Sequence, residues 1–292
     1  MKIYNLGSLN IDYVYSVDHF VSGGETLSSE NMQIFAGGKG LNQSVAVSRA
    51  GGNVIHGAVL GHDGAFLKDI LNESGADTSR IEISDKSSGH AIIQLDKNGQ
   101  NSILLYGGTN QLVDKKYIES FLCDAQPNDI LLLQNEVSNL DFAFRIAQKK
   151  NMQIAFNPSP YDVSLLDLPL QYVKWWFCNE IEGEALFGSA DPDEIAQNFI
   201  LKYPDSNLIL TLGDKGCIFK NAKSFIRQPI YETRVADTTA AGDTFTGYFI
   251  SAIAKGKDID YALKLASKAS SIAVSRKGAS PSIPYAKELN NL

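Results

Sequence analysis

The string Asp237-Thr-Thr-Ala-Ala-Gly-Asp243-Thr-Phe carries the strongest chemical signal in the chain. A strand is expected to end near Ala236, and a glycine-containing turn then opens into a long helix starting near Gly242. The first N–H groups of a helix have no internal partner, and the helix dipole adds partial positive charge there. Small residues at Ala240, Ala241 and Gly242 let an anion approach closely, so the corner suits a phosphate group. Asp243 has two readings in that first turn. A carboxylate there stabilises a helix start by ~0.3–1 kcal/mol, or it could serve as a base that takes a proton from a hydroxyl. The Ala-Ala-Gly run favours the second, because a cap needs no open anion pocket beside it.

A second candidate is Phe35-Ala-Gly37-Gly38-Lys39-Gly40-Leu-Asn42-Gln-Ser-Val. Its glycines around Lys39, followed by apolar Val45, Val47 and Ala50, read as a turn entering a helix. Such backbone can lie against a polyhydroxylated molecule, with Asn42 able to donate and accept; a plain glycine-rich connection fits equally well. It is not a Walker A loop, which requires G-x-x-x-x-G-K-[ST]. Gly7-Ser8-Leu9-Asn10-Ile11-Asp12 follows the first strand and lacks the G-x-G-x-x-G of a dinucleotide-binding turn. Asn10 and Asp12 alternate along an extended chain and so share a face, either a cavity wall or an exposed surface.

Asn179-Glu180-Ile181-Glu182 sits where the strand WWFC meets the helix EGEALFG. Glu182 is there either a helix-start carboxylate or a partner of hydrated Mg²⁺, an ion that keeps most of its waters. Thr211-Leu-Gly213-Asp214-Lys-Gly216 ends a strand in a glycine turn, as the rim of a nucleotide site or as an ordinary hairpin. The histidines, His19, His56, His62 and His90, are scattered without metal-ligand spacing and read as structural or surface residues.

Composition bounds the scaffold that must hold these residues. A chain of 292 residues can bury roughly 75% of its unfolded surface without metal or disulfide staples. Its 44% hydrophobic and 20% charged content is that of an ordinary globular enzyme. A net charge of -7 argues against sequence-independent nucleic-acid binding. Cys123, Cys178 and Cys217 make no C-x-x-C pair and read as buried, reduced thiols of a cytosolic protein. MKIYNLGSLNID lacks the apolar core of a signal peptide. No apolar run approaches the ~20 residues that span a bilayer. A cytoplasmic protein without membrane partners is expected.

Short apolar runs at Ile130–Leu133, Gln153–Phe156, Val173–Phe177 and Leu208–Leu212 read as buried parallel strands. Amphipathic stretches such as Leu140–Lys150 and Ile195–Tyr203 lie between them. The alternation predicts a layered α/β sheet with helices on both faces. Residues 11–35 and 88–106 break that rhythm and read as strands joined by tight turns. Asn98-Gly99 predicts a two-residue hairpin with both turn positions at positive φ, and Gly23-Gly24 permits a bend. The two segments form either a small projecting sheet, a lid, or extra edge strands of the main sheet. The C-terminal third reads as two helices, one with Phe245, Phe249, Ala252 and Ile253 on its apolar face, the next with Ala262, Leu265, Ala266, Ala269, Ile272 and Ala273.

In this order the strings resemble the ribokinase family of carbohydrate kinases, the PfkB family. GGKGLNQSVAVSRAGG and DTTAAGDTFTGYF are similar to its two diagnostic motifs. GSLNID, SGGET, NPSP, NEIEGEALFG, TLGDKG and AVSRKGASPSIP match in sequence order, so the resemblance spans nearly the whole chain. The ribokinase branch is matched best, in NPSP, in RKGASPSIP and in the acidic residue after LLLQ. The resemblance implies a single three-layer, doubly wound α/β domain whose β-sheet lid closes over a sugar and pairs two subunits. It implies ATP-dependent phosphorylation of a sugar hydroxymethyl group, D-ribose to D-ribose 5-phosphate first. Fructose, a deoxy sugar or a nucleoside as acceptor, or a non-catalytic sugar-binding module, are the alternatives.

Carried over motif by motif, the resemblance puts Asn10, Asp12, Gly38, Lys39, Asn42 and Glu136 against the sugar. It makes Asp243 the base and the Ala240–Gly242 backbone the anion hole. Asn179, Thr211, Gly213, Asp214, Gly216 and Gly242 would border ATP, and Glu182 would orient Mg²⁺ through water. An activating K⁺ would lie among Asp237, Thr239, Ala273, Arg276, Gly278 and Ser282. The chain departs from the family at Leu41 and Ser44, where alanine is common, and at Ser267, where an Asn or His beside adenine is expected. His90, Gln94 and Tyr106 in the lid are placed to tune which sugar fits.

Overall fold

The computed structural model describes residues 1–289. The chain opens with β1 (Ile3–Leu6), β2 (Asn10–Ser16), β3 (Asn31–Gly37) and α1 (Lys39–Arg49). It continues through β4 (Val54–Gly61), α2 (Ala65–Ser74), β5 (Asp77–Ser84), β6 (Gly89–Leu95) and β7 (Asn101–Tyr106). Next come α3 (Lys115–Phe121), β8 (Ile130–Gln134), α4 (Leu140–Lys149), β9 (Gln153–Asn157) and β10 (Val173–Asn179). The remainder is α5 (Glu180–Phe187), α6 (Pro192–Lys202), β11 (Asn207–Thr211), β12 (Cys217–Lys220), β13 (Phe225–Gln228), α7 (Ala241–Ala254) and α8 (Ile259–Val274).

The main sheet runs β13-β12-β11-β10-β9-β8-β1-β4-β5, parallel from β11 to β5. Its strands are apolar on both sides because both faces are covered. Successive side chains enter opposite layers. Ile3, Leu132, Trp175 and Ile209 join the core under α1, α2, α7 and α8, whereas Tyr4, Leu131, Trp176 and Leu208 join the core under α3 to α6. Each such burial contributes ~1.5–3 kcal/mol. The expected three-layer α/β architecture is therefore present.

The strands from both segments that broke the rhythm form a separate sheet, β3-β2-β6-β7, so they are not edge strands of the main one. Details differ from expectation. Residues 17–30 between β2 and β3 are a long irregular loop, not a tight turn. At Asn98-Gly99 only Gly99 has positive φ. The Asp96 carboxylate accepts from the amides of Asn98 and Gln100 and closes a longer loop, which satisfies the turn without bending Asn98. No strand leads to Ala236: β13 ends at Gln228, and the chain then runs irregularly past a cavity. Cys123 is exposed rather than buried, while Cys178 and Cys217 are buried; all are free thiols.

Candidate active site

The chain winds outward in both directions from β1 and β8, which makes their boundary the switch point where an open α/β sheet leaves a crevice at its strand ends. Gly7 and Ser8 follow β1 there, and Gln134 and Glu136 lie at the end of β8. The lid joins the same place, because β2 and β3 grow out of β1 and run into α1. Gly38, at φ 94°, makes the corner between β3 and α1, a conformation that suits glycine. Gly40 lets the helix seat against the β1 loop: a Cβ on it would lie 2.6 Å from the Gly7 Cα.

The open N–H groups of α1 are satisfied from within. Glu136 Oε2 accepts from Lys39 N at 3.0 Å and from the Ser8 hydroxyl. Ser8 Oγ accepts from Gly40 N, and Ser8 O from Leu41 N. Glu136 is thus a helix cap with one carboxylate oxygen left for a ligand. Burial pushes its pKa up, against the pull of Lys39. Burial, with Glu136 nearby, also pushes Asp12 up to about 7. Asn10 is buried, and its Oδ1 accepts from Asn110 Nδ2 at 2.7 Å, so the Asn10 amide N–H is the end free to meet a ligand. Asn10 is buried and Asp12 half-buried, so they do not form an exposed face.

The N-terminus of α7 is different. Ala240 at its cap is left-handed, at φ 59°, and provides no side-chain bond. Among the described residues the Gly242 and Asp243 amides have no hydrogen-bond partner. The first turn therefore presents open N–H groups next to a buried carboxylate, as an anion site requires. Asp243 Oδ2 accepts from Asn42 Nδ2 at 3.1 Å, and Oδ1 accepts from Gln43 Nε2 at 2.9 Å. The two diagnostic strings, some 200 residues apart in sequence, thus meet at one carboxylate. Asn42 Oδ1 is buried without a partner, an acceptor that a sugar hydroxyl would satisfy. Burial opposes the charge on Lys39, but the carboxylates of Asp243, Glu136 and Glu182 outweigh it and raise its pKa.

Two cavities share a wall here. The larger, of about 540 Å³, is lined by Asn179, Thr211, Gly213, Asp214, Gly216 and Gly242 among others. Apolar Ile181, Ile230, Val235 and Phe245 also line it, which suits a flat aromatic base with a polar rim. Ser267 lies on this wall as well. The smaller, of about 210 Å³, holds Lys39, Asp243, Glu182 and the backbone of Ala240 to Gly242. Asn179, Thr211, Thr238, Ala241 and Gly242 border both. All nucleotide candidates therefore line the larger cavity, which shares a wall with the smaller one that holds Asp243.

Glu182 is a cap and also a cavity residue. Its Oε2 accepts from Asn179 N while Asn179 Oδ1 accepts from Glu182 N, a capping box at the start of α5. One Glu182 oxygen and the Asn179 amide N–H remain free. Among the described residues no group of three or more His, Cys, Asp or Glu could hold a metal. This donor set fits a hydrated Mg²⁺ carried mainly by phosphates and water, with Glu182 as its outer partner.

Asp237 anchors a separate loop cluster. Its Oδ1 accepts from Thr239 N and Oγ1, and its Oδ2 accepts from Gly278 N at 2.9 Å. Burial opposes its ionisation, but the bonds from Thr239 and Gly278 outweigh it and hold its pKa low. Arg276 N bonds Ala273 O in the same turn, and the Arg276 guanidinium reaches Glu288. Ser282 is buried, with its hydroxyl on Ala279 O, and no bond joins it to Asp237 among the described residues. In the lid, the His90 ring lies between Tyr13 and Tyr106.

Gln43, Asn110, Gln134 and Asn157 were not among the sequence candidates. Their signal was a polar residue closing an apolar strand, as in ILLLQ and QIAFN, or sitting inside a buried helix stretch. Buried amides need partners, and a crevice at the strand ends is where they find them.

The model of the pfkB family of carbohydrate kinases matches residues 2–286. Ribokinase of Haemophilus influenzae is 36% identical over 97% of this chain and 95% of that protein. A ribokinase structure from Cryptococcus neoformans in complex with ADP aligns with TM-score 0.87 and 32% identity, over 99% of this chain and 98% of that one. A ribokinase structure from Arabidopsis thaliana complexed with ribose and ATP aligns with TM-score 0.87 and 27% identity, over 98% of this chain and 96% of that one.

Proposed function

Because the chain belongs to the pfkB family of carbohydrate kinases and is an ATP-dependent sugar kinase, we propose that it phosphorylates the 5-hydroxyl of D-ribose. The observation that carries this reading is the wall that the two cavities share at Asn179, Thr211, Thr238, Ala241 and Gly242, next to Asp243 in the smaller one. Adenine occupies the larger cavity and the phosphates run through the smaller one towards the open N-terminus of α7. The sugar lies on the side of Asn42, with Asn10, Asp12, Lys39 and Glu136 around it. Asp243 accepts the proton of the hydroxymethyl group as that oxygen attacks the terminal phosphorus, whose bond to the bridging oxygen breaks so that ADP leaves with the electron pair. Lys39 and the α7 amides stabilise charge on the transferring group. Glu182 would hold a hydrated Mg²⁺, which would supply positive charge to the nucleotide phosphates. Ribose comes first among sugars because relatives of 30–36% identity that match nearly the whole chain are named ribokinases.

A K⁺ ion would sit by Asp237, Thr239 and the backbone of Ala273 to Gly278, and would hold that loop against the anion corner. ADP release with ribose, fructose, 2-deoxyribose and nucleosides, each with K⁺ and with K⁺ replaced by a bulky organic cation, tests both points. Ribose should give the highest kcat/KM and K⁺ removal should lower turnover. No ribose-dependent ADP release would remove ribose, and turnover indifferent to K⁺ would remove the ion.

The lid also forms the contact of a homodimer in this reading. By register, Val14, Phe35, Ile93, Ile103 and Leu105 share the lid face that carries Asp12. Phe35, Ile103 and Leu105 are 40–57% exposed, and a contiguous apolar patch marks an interaction surface. A second copy would cover this patch and the mouth of the sugar site together. Sedimentation equilibrium should give a dimer that Ile103→Lys dissociates; a monomeric wild type would contradict it. A cytoplasmic location, where ATP is abundant, accompanies this reading and is checked by cell fractionation.

A further inference from the structure

Building on the reading of Asp243 as the base, we propose that Gln43 is its positioning residue, and that a chain of buried amides fixes Gln43 in turn. Gln43 Nε2 donates to Asp243 Oδ1 at 2.9 Å and lies 3.3 Å from Asn157 Oδ1. Its Oε1 accepts from Gln134 Nε2 at 2.7 Å. Gln134 Nε2 also donates to Asn5 Oδ1 at 3.0 Å, and Asn5 Nδ2 donates to Gly40 O at 2.8 Å and Ser44 Oγ at 2.7 Å. Ser44 Oγ is 2.8 Å from His56 Nδ1. Asn5, Gln43, Ser44, His56 and Gln134 are all fully buried, so no bulk water competes.

The amides of the chain have one self-consistent orientation. Asn5 spends both N–H groups on Gly40 O and Ser44 Oγ, so its Oδ1 must accept, and Gln134 must present N–H groups. Gln134 spends those on Asn5 and Gln43, which forces Gln43 to turn its oxygen inward and its N–H groups towards Asp243. Asn157 Nδ2 is taken by Phe177 O at 2.8 Å, leaving its oxygen to face the same Gln43 amide. At the far end Ser44 Oγ accepts from Asn5 and lies against Nδ1 of His56, which burial keeps neutral. Flipping any amide would set donor against donor or acceptor against acceptor. Asp243 Oδ1 is thereby permanently engaged. Oδ2, held only by Asn42, is the oxygen that receives the hydroxyl proton. The charged groups around Asp243 are Lys39 from α1, Glu136 from the loop after β8 and Glu182 from α5.

Gln43→Glu keeps an acceptor for Gln134 but replaces the donor on Asp243 with a second carboxylate. A neighbouring like charge raises a carboxyl pKa. The acidic limb of kcat against pH should move up by about one unit, lowering kcat about tenfold on that limb, with both KM values within about threefold. Gln43→Met, neutral and of similar length, covers the case in which the charged variant does not fold. It should lower kcat about tenfold or more at the pH optimum while leaving sugar KM in place. A folded Gln43→Glu with the wild-type pH profile, or a Gln43→Met that changes KM and spares kcat, would overturn the proposal. If the wild type itself releases no ADP with any sugar, the kinase reading fails, and the Gln43 contact is then judged by carboxyl ¹³C NMR. There Asp243 should titrate about one unit higher in Gln43→Glu than in wild type, and equal titration would overturn the contact.

Discussion

Replacing Asp243 with asparagine should lower kcat for sugar phosphorylation by about 10²–10⁴-fold, the range contributed by a positioned general base. KM for ATP and for sugar should stay within about threefold, because the change removes an interaction made only as the proton leaves. The geometry is specific on this point. Asp243 lines the smaller cavity beside the open N-terminus of α7, and its oxygens are held by amide N–H groups from Asn42 and Gln43. Asparagine has the same shape but only one acceptor oxygen and negligible basicity. It would turn its own N–H groups against one of those donors, so a modest loss of thermal stability should accompany the kinetic effect. Near-normal turnover by a folded variant would mean that the hydroxyl loses its proton elsewhere.

Asp12→Ala should raise the KM for sugar by about 10–100-fold and leave the KM for ATP unchanged. Hydrogen bonds to a charged group are worth ~1.5–3 kcal/mol each, and each 1.4 kcal/mol is tenfold in affinity. A pH signature goes with it. Burial first, then Glu136, raises the Asp12 pKa to about 7. Only the ionised form offers both oxygens as acceptors, so the wild-type sugar KM should fall as pH rises from about 6 to 8. Stability runs the other way. The folded chain holds this proton more tightly than the unfolded one, so the contribution is complete below the unfolded pKa and is lost as pH rises through about 7. The ligand-free melting temperature should therefore fall as pH rises from about 4 to about 7 and level off above, and Asp12→Asn should flatten that fall. A sugar KM independent of pH in wild type, with Asp12→Ala unaltered, would take Asp12 out of the sugar site.

The layered α/β fold was legible because buried parallel strands leave short apolar runs such as ILLL and LILT, and covering helices leave amphipathic ones. The place of Asp243 was legible too, since Ala-Ala-Gly-Asp opens a helix whose Gly242 and Asp243 amides stay unpaired, among the described residues, beside a buried carboxylate. What the local pattern left open depends on distant partners. Glu136 seemed only a sugar residue, yet it also caps α1, ninety-seven positions away from Lys39. Asn98 seemed bound for positive φ until the Asp96 carboxylate offered its amide a better bond. A strand was expected before Ala236, but residues 229–240 form an irregular wall of the nucleotide cavity, where Ile230, Tyr231, Thr233 and Val235 face the space. Gln43 was hidden for the same reason: its role exists only once β1, β8, β9, α1 and α7 converge.

The most direct test of a carboxylate-assisted transfer from ATP to a sugar hydroxymethyl is proton-coupled ³¹P NMR of wild-type protein with ATP, Mg²⁺, K⁺ and D-ribose. The account expects the terminal phosphate to reappear as a phosphomonoester split by the two C5 protons, at the rate of ADP formation. Phosphate released only in inorganic form, or an ATP spectrum unaltered by the sugar, would contradict it.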